Sequence, residues 1–140
     1  MKTKLLSLLV ALIATTALWA SNVITYTAKD KLYIYNINAF NVAITSHEFS
    51  NGTGTITFAG EVTTIGYHAF YFCNELTSIT IPNSVTTIGR EAFSFCGLTS
   101  IIIPDSVTTI GVMAFSNCDN LASATMGNSV TTIENEAYKQ

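Results

Sequence analysis

Basic residues are scarce in this chain of 140 residues, which has six lysines and arginines against nine acidic residues. Lys2 and Lys4 belong to an amino-terminal segment that we predict below to be removed, so the remaining chain has four basic residues and a net charge of about −5. Nucleic acids are bound mainly through lysine and arginine contacts to phosphate. The composition therefore argues against a nucleic-acid partner.

The sequence also lacks the spacings typical of metal and phosphate sites. There is no Cys-x-x-Cys pair, no closely spaced histidine pair and no glycine-rich phosphate loop. His47 and His68 have no acid, serine or thiol partner at an equivalent position. The sequence therefore gives no support for a catalytic pair of nucleophile and base. We therefore predict a protein that is not an enzyme and that needs no cofactor and no metal.

No apolar run is long enough for a comfortable membrane span, which takes about 20 residues. The longest run, residues 5–18, follows two lysines and is followed by Ala20, a small residue before a cut at Ser21. This order is typical of an export signal over residues 1–20. We expect an exported protein, secreted or at the cell surface, with membrane attachment only through an uncleaved leader.

The most abundant feature of the chain is a repeat. Val-Thr-Thr-Ile occurs four times, starting at Val62, Val85, Val107 and Val130, at intervals of 23, 22 and 23 residues. A fixed period of this length is typical of a solenoid, in which each copy packs only on its neighbours. The motif indicates about three and a half copies, because the last one is incomplete.

Within each copy, a short strand is predicted from the Leu-x-x-Leu-x-Leu spacing of Leu76, Ile79 and Ile81. Side chains alternate along a strand, so Ser78 and Thr80 should point outward. Their equivalents in the later copies, Ser100 with Ile102 and Ser123 with Thr125, should stack beside them. The predicted result is a solenoid face rich in hydroxyl groups.

The predicted fold is a β-rich leucine-rich-repeat solenoid with parallel strands over residues 56–140, preceded by a β-hairpin-type cap over residues 21–55. Residues 24–27 and 32–35 alternate as strands do, and Asn51-Gly52 is a strong hairpin signal. Residues 56–58 align with residues 79–81, so we expect the cap to supply the first solenoid strand. At the other end, the incomplete copy leaves an edge that another copy of the chain could pair with.

One complete copy, residues 69–89, reads AFYFCNELTSITIPNSVTTIG. This copy resembles the BspA-like leucine-rich repeat family of exported bacterial surface proteins, and the resemblance covers about residues 56–138. It implies a leucine-rich solenoid that acts in adhesion without catalysis, including the binding of host matrix proteins. The family's binding residues follow no motif that maps onto this sequence, so the resemblance assigns no site.

Cys73, Cys96 and Cys118 hold the same position in successive copies and should form a column of small buried side chains. Adjacent coils would bring two of them close enough to form a disulfide, so one disulfide in an oxidising compartment is kept as an alternative.

Candidate binding residues lie where the copies differ, because positions that stay the same are occupied by packing. The candidates are the variable column, the aromatic residues beside it and the hydroxyl face: Tyr67, His68, Arg90, Glu91, Tyr71, Phe72, Ser78 and Thr80. An alternative reading is that Phe72 and Phe95 simply cover the core. The expected partner is an extracellular protein or matrix component. A glycan-binding module, and a purely structural or self-assembling repeat, are the alternatives.

Overall fold

A computed structural model describes residues 22–139, and within this range the chain forms short β-strands and no helix. None of its segments there is a helix that could cross a membrane. The strands are β1 Val23–Ala28, β2 Ile44–Ser50, β3 Thr53–Phe58, β4 Thr64–Ile65, β5 Leu76–Thr80, β6 Thr87–Ile88, β7 Ser100–Ile102, β8 Thr109–Ile110, β9 Ser123–Thr125 and β10 Thr132–Ile133. The predicted export signal, residues 1–20, lies outside the described residues.

The Val-Thr-Thr-Ile motif forms one wall of the solenoid. Its Thr-Ile pairs are the strands β4, β6, β8 and β10, which lie side by side as a parallel sheet in that spatial order. Because the copies have nearly the same length, equivalent residues of successive coils lie opposite each other. Ile65 pairs with Ile88, and Ile88 pairs with Ile110. The period of the motif predicts stacked coils, but it gives no indication of this sheet.

The Leu-x-x-Leu-x-Leu segments form a second wall. Strands β7 and β9 pair in parallel, with Ser100 opposite Ser123 and Ile102 opposite Thr125, which confirms the predicted stacking of these residues. The neighbouring coil joins through the Thr99 amide, which donates to the Thr77 carbonyl at 3.2 Å. Each wall thus satisfies backbone groups between coils, as a solenoid requires.

A third wall is made by the segment around each Ala-Phe pair and has an unusual backbone. In the first coil His68 and Phe72 have φ of 59° and 60°, although neither is glycine. The amides of His68, Phe70 and Phe72 donate to carbonyls of the next coil at 3.4, 2.7 and 3.0 Å. The following coils repeat both features, always with the earlier coil donating. A left-handed residue costs about 1–2 kcal/mol, and these intercoil bonds hold it in place.

Stacked side chains fill the interior. The rings of Phe70, Phe93, Phe115 and Tyr138 lie nearly parallel at centroid distances of 5.2, 5.1 and 5.0 Å. The three cysteines are buried beside them as free thiols, which confirms the predicted buried column. The thiols of Cys96 and Cys118 each donate to a phenylalanine carbonyl of the preceding coil at 3.0 Å. The cysteines therefore contribute to the packing of every coil that contains one.

The cap is an antiparallel sheet with strand order β2-β3-β1-β5. The β2–β3 hairpin turns at Asn51-Gly52, as predicted, with φ of 50° and 79°. The expectation that residues 56–58 supply the first solenoid strand is wrong, because β1 lies between β3 and β5 and pairs with both. Residues 32–35 form no strand. They keep the alternation in burial, however, with Leu32 and Ile34 inside.

The later coils are less covered than the first two. All three residues of β9 are exposed, and Ile133 is 53% exposed, whereas its equivalents Ile65 and Ile88 are fully buried. Ala124, which occupies the place of a strand isoleucine, is among the exposed residues. The best-packed part of the solenoid is therefore the part next to the cap.

Candidate binding surface

Six rings contact one another on the outside of the first two coils. We call this set the aromatic surface; it consists of Tyr35, Tyr67, His68, Tyr71, Phe72 and Phe95. His68 is stacked between Tyr67 and Tyr71, with centroid distances of 3.7 and 4.1 Å. Phe72 stacks on Phe95 at 4.7 Å. Tyr71 joins the two groups, because its ring lies 5.0 Å from that of Phe72.

The third wall explains why these rings are outside. Ala69 and Phe70 are fully buried, while Tyr67 and Phe72, on either side of them, are 51% and 54% exposed. The left-handed turns at His68 and Phe72 allow the chain to pass from surface to core and back within six residues. Phe72 thus leaves more than half of its surface exposed, and Phe95 is half-buried against it.

An ion-pair network borders the aromatic surface. The Glu91 carboxylate accepts a hydrogen bond from Arg90 Nε at 2.8 Å, and its other oxygen lies 2.9 Å from His68 Nε2. The Arg90 bond, followed by the His68 bond, holds the pKa of Glu91 below its ordinary value. The His68 and Glu91 side chains are only 15% and 16% exposed, whereas Arg90 is 61% exposed. Arg90 is thus the exposed charge of this network.

The prediction that neither histidine has an acid, serine or thiol partner at an equivalent position is wrong for His68. His68 meets Glu91 because the two residues occupy the same position in successive coils, where unlike residues become direct neighbours. His47 lies in β2, and its Nε2 is 2.7 Å from Tyr26 Oη. Burial, and then the charge of Lys31, lower the pKa of His47. Neither histidine has a nucleophile beside it in these contacts.

The structure separates the remaining two predicted site residues from the aromatic surface. Ser78 and Thr80 lie on β5 and line a groove of about 770 Å³ along the second wall. Ser78 Oγ is 2.7 Å from Thr27 Oγ1 of the cap. Ile102 also lines this groove and is 69% exposed, so the face is partly apolar rather than uniformly hydroxylated.

Two aromatic residues of the cap were missed as site residues. Tyr35 is 59% exposed, and its ring lies 5.7 Å from His68 and 5.6 Å from Tyr71. Tyr33 is 82% exposed beside it. The alternation of residues 32–35 indicates that both tyrosines point outward. Their position against the first coil depends on how the cap folds back, which the alternation does not determine.

The part of the chain that the structure describes contains no group of three or more histidine, cysteine or acidic side chains arranged to hold a metal ion. The aromatic surface and its border combine rings, one exposed cation and a partly buried carboxylate that positions this cation.

The stacked coils define a β-solenoid repeat protein with a capped amino end. Residues 42–140 match the family model of the BspA type leucine rich repeat region, in six copies, and the chain belongs to this family. The family match starts inside the predicted cap and contains more copies than the three and a half indicated by the Val-Thr-Thr-Ile motif.

Comparison with solved structures found a leucine rich cell surface protein from Faecalibacterium prausnitzii A2-165, with 20% sequence identity and a TM-score of 0.40. The match covers 80% of this chain and 47% of that one, so this chain corresponds to less than half of that protein. A search of curated proteins gave no significant match.

Proposed function

We propose that this protein is an exported, non-enzymatic binding module that recognises an extracellular protein or matrix component through the aromatic surface. Membership of a leucine-rich repeat family supports the general class of binding repeat. The observation that carries the proposal is the exposure of Tyr35, Tyr67 and Phe72, each more than half exposed, in one connected cluster. Aromatic residues and arginine dominate the binding energy of protein interfaces.

The rings are held in place before any partner arrives. Tyr67 stacks on His68, which is fixed by Glu91, and Phe72 stacks on Phe95. A side chain that is already ordered loses less conformational entropy on binding, which leaves more of the contact energy as affinity. Arg90 is tied to the same carboxylate and adds a planar hydrogen-bond donor at the border.

Glycan binding is the alternative, and it was predicted from the hydroxyl face together with Tyr67, His68 and Tyr71. The structure weakens its basis, because Ser78 and Thr80 line a separate groove and do not border these rings. A glycan would have to use the rings alone.

A screen of the purified protein against immobilised matrix proteins and glycans tests the proposal. Phe72→Ala should weaken binding to a protein partner by about tenfold or more. Ile102→Ala is the matched control, because Ile102 is equally apolar and exposed but lies in the groove of the second wall. Circular dichroism would establish that both variants fold.

The proposal fails if Ile102→Ala abolishes binding while Phe72→Ala does not. If enzymatic deglycosylation of the partner abolishes binding, this result would support the glycan alternative instead. A self-assembling repeat predicts a rise in sedimentation coefficient with protein concentration, whereas a binding module with a free aromatic surface predicts a constant value.

A further inference from the structure

A cleft of about 260 Å³ opens between the cap and the first coil, beside the aromatic surface. We call it the aromatic cleft. Its walls include Tyr33, Tyr35, Tyr71 and Phe72, and the carboxylates of Asp30 and Glu75 lie at its border. None of these residues except Tyr71 and Phe72 was predicted as part of a site. The cleft is smaller than ordinary small-molecule pockets, which are about 300–1,000 Å³, so its size suits a single side chain.

The rings of the aromatic cleft are set at steep angles to one another. Tyr35 and Tyr71 are inclined at 67°, and Tyr71 and Phe72 at 65°, with centroids 5.6 and 5.0 Å apart. Edge-to-face contacts of this kind give the cleft walls of different orientation rather than one flat platform. One face each of Tyr71 and Phe72 is occupied by His68 and Phe95, so a cation would use the remaining aromatic surface, at up to about 6 Å, the range of a cation–π interaction.

Charge favours the same occupant. Asp30 and Glu75 are both exposed and both line the cleft. Lys31 also lines the cleft and offsets one of these two negative charges, so the charged residues of the lining remain acidic on balance. The chain after the predicted leader has four basic and nine acidic residues, so its overall field attracts cations.

We propose that the aromatic cleft binds one cationic side chain, arginine or lysine, of a protein partner. This inference rests on the proposed function and specifies the chemistry of the partner. The guanidinium or ammonium group would lie against Tyr35, Tyr71 and Phe72, and the carboxylates of Asp30 and Glu75 would neutralise its charge. Tyr33, the most exposed of the four rings, would close the outer side.

The test is a nuclear magnetic resonance titration of the full protein with a blocked Gly-Gly-Arg-Gly-Gly peptide. The control is the same peptide with citrulline, which keeps the shape of arginine but carries no charge. The arginine peptide should shift the ring signals of Tyr33, Tyr35 and Phe72 and bind at least about fivefold more tightly than the citrulline peptide. Added salt should weaken the binding of the arginine peptide more than the binding of the citrulline peptide.

Variants separate the contribution of the rings from that of the carboxylates. Tyr33→Ala and the double variant Asp30→Asn, Glu75→Gln change only exposed side chains, so the fold should persist. Each of these variants should bind the arginine peptide more weakly by about threefold or more, so that its affinity for this peptide approaches its affinity for the citrulline peptide. Ile102→Ala, on the second wall, should leave the affinity unchanged.

Equal affinity for the two peptides, shifts scattered away from the cleft, or no shift at about 10 mM peptide would each overturn the inference. Failure here is distinct from failure of the proposed function. A matrix protein that needs Phe72 but binds the carboxylate double variant normally would leave the binding module intact and remove only the cationic occupant. Preference for a neutral sugar over the arginine peptide in the same titration would assign the cleft to a glycan.

Discussion

His68 Nε2 lies 2.9 Å from Glu91 Oε2, although the two residues are 23 positions apart in the chain. They meet because they hold the same place in successive coils. Stacking thus brings unlike residues of successive copies into direct contact, here an imidazole and a carboxylate. The pair holds His68 between two tyrosine rings, and in this way it fixes the most exposed part of the first coil.

This contact predicts a pH dependence of stability. The bonds from Arg90 and His68 hold the pKa of Glu91 in the folded protein below its ordinary value of 4.5. A depressed carboxyl pKa contributes stability that is present above the unfolded pKa and is lost as the pH falls through the folded one. The free energy of unfolding should therefore decrease between about pH 5 and pH 3, measured by urea denaturation.

Glu91→Gln should show a smaller decrease over this range than the unchanged protein. Glu61→Gln, a change at an exposed carboxyl elsewhere on the surface, is the control and should keep the full decrease. Identical pH profiles for the unchanged protein and Glu91→Gln would contradict the assignment.

The ring stack predicts which phenylalanine matters most for stability. Phe93 is fully buried, with Phe70 and Phe115 stacked on its two faces at 5.2 and 5.1 Å. Phe93→Ala should lower the free energy of unfolding by about 3–5 kcal/mol, through lost burial and the cavity that remains. Phe72→Ala removes a ring that is 54% exposed and should cost less than about half as much. Similar losses in both variants would show that the stack is not the core.

The left-handed positions predict an unusual response to glycine. Asn117 is exposed and has φ of 54°. Asparagine tolerates this conformation better than alanine does, and glycine adopts it freely. Asn117→Ala should therefore destabilise the protein by about 1 kcal/mol, whereas Asn117→Gly should be close to neutral.

Asn120→Ala is a suitable control, because Asn120 is exposed close by and does not have a positive φ. Its effect should stay within about 0.5 kcal/mol in the same thermal unfolding measurement. If Asn117→Ala and Asn120→Ala are equally harmless, the backbone conformation at Asn117 contributes nothing to stability.

The cysteine column predicts three protected thiols. Burial raises the pKa of the Cys96 thiol well above its ordinary value, whereas a hydrogen bond with Cys96 lowers the pKa of Cys118. Since all three cysteines are less than 6% exposed, a reagent cannot reach them, and iodoacetamide at pH 8 should modify the folded protein very slowly. In denaturant without reductant, mass spectrometry should count three modified cysteines. A count of one would instead reveal the disulfide that the spacing of the copies allows.

Much of the solenoid follows from the sequence because its information is local and repeated. The nearly equal spacing of Val62, Val85 and Val107 sets the register of the coils, and alternation around Ile101 sets which side chains face inward. The clustering of Tyr67, His68, Tyr71 and Phe72 was also accessible, because residues close together in one copy stay close in the coil.

Other features depend on long-range geometry that no local pattern encodes. The insertion of β1 between β3 and β5 follows from strand pairing across the cap, and the segment of residues 24–27 alternates in the same way whichever neighbours it has. Likewise, Phe72 is not a residue type that favours a positive φ. Its conformation is held by a hydrogen bond to the next coil, so its identity gives no indication of it.

The one-way hydrogen bonds of the third wall give it an electrical direction. Because the amides that bond between coils there all donate toward the later coil, their peptide dipoles add from coil to coil instead of cancelling, as they do in an α-helix. The negative end of this array is the carbonyl edge at the first coil, where Asn36 of the cap donates to the Tyr67 carbonyl at 2.8 Å. That edge adjoins the aromatic cleft, so the backbone itself adds to the attraction that Asp30 and Glu75 exert on a cation.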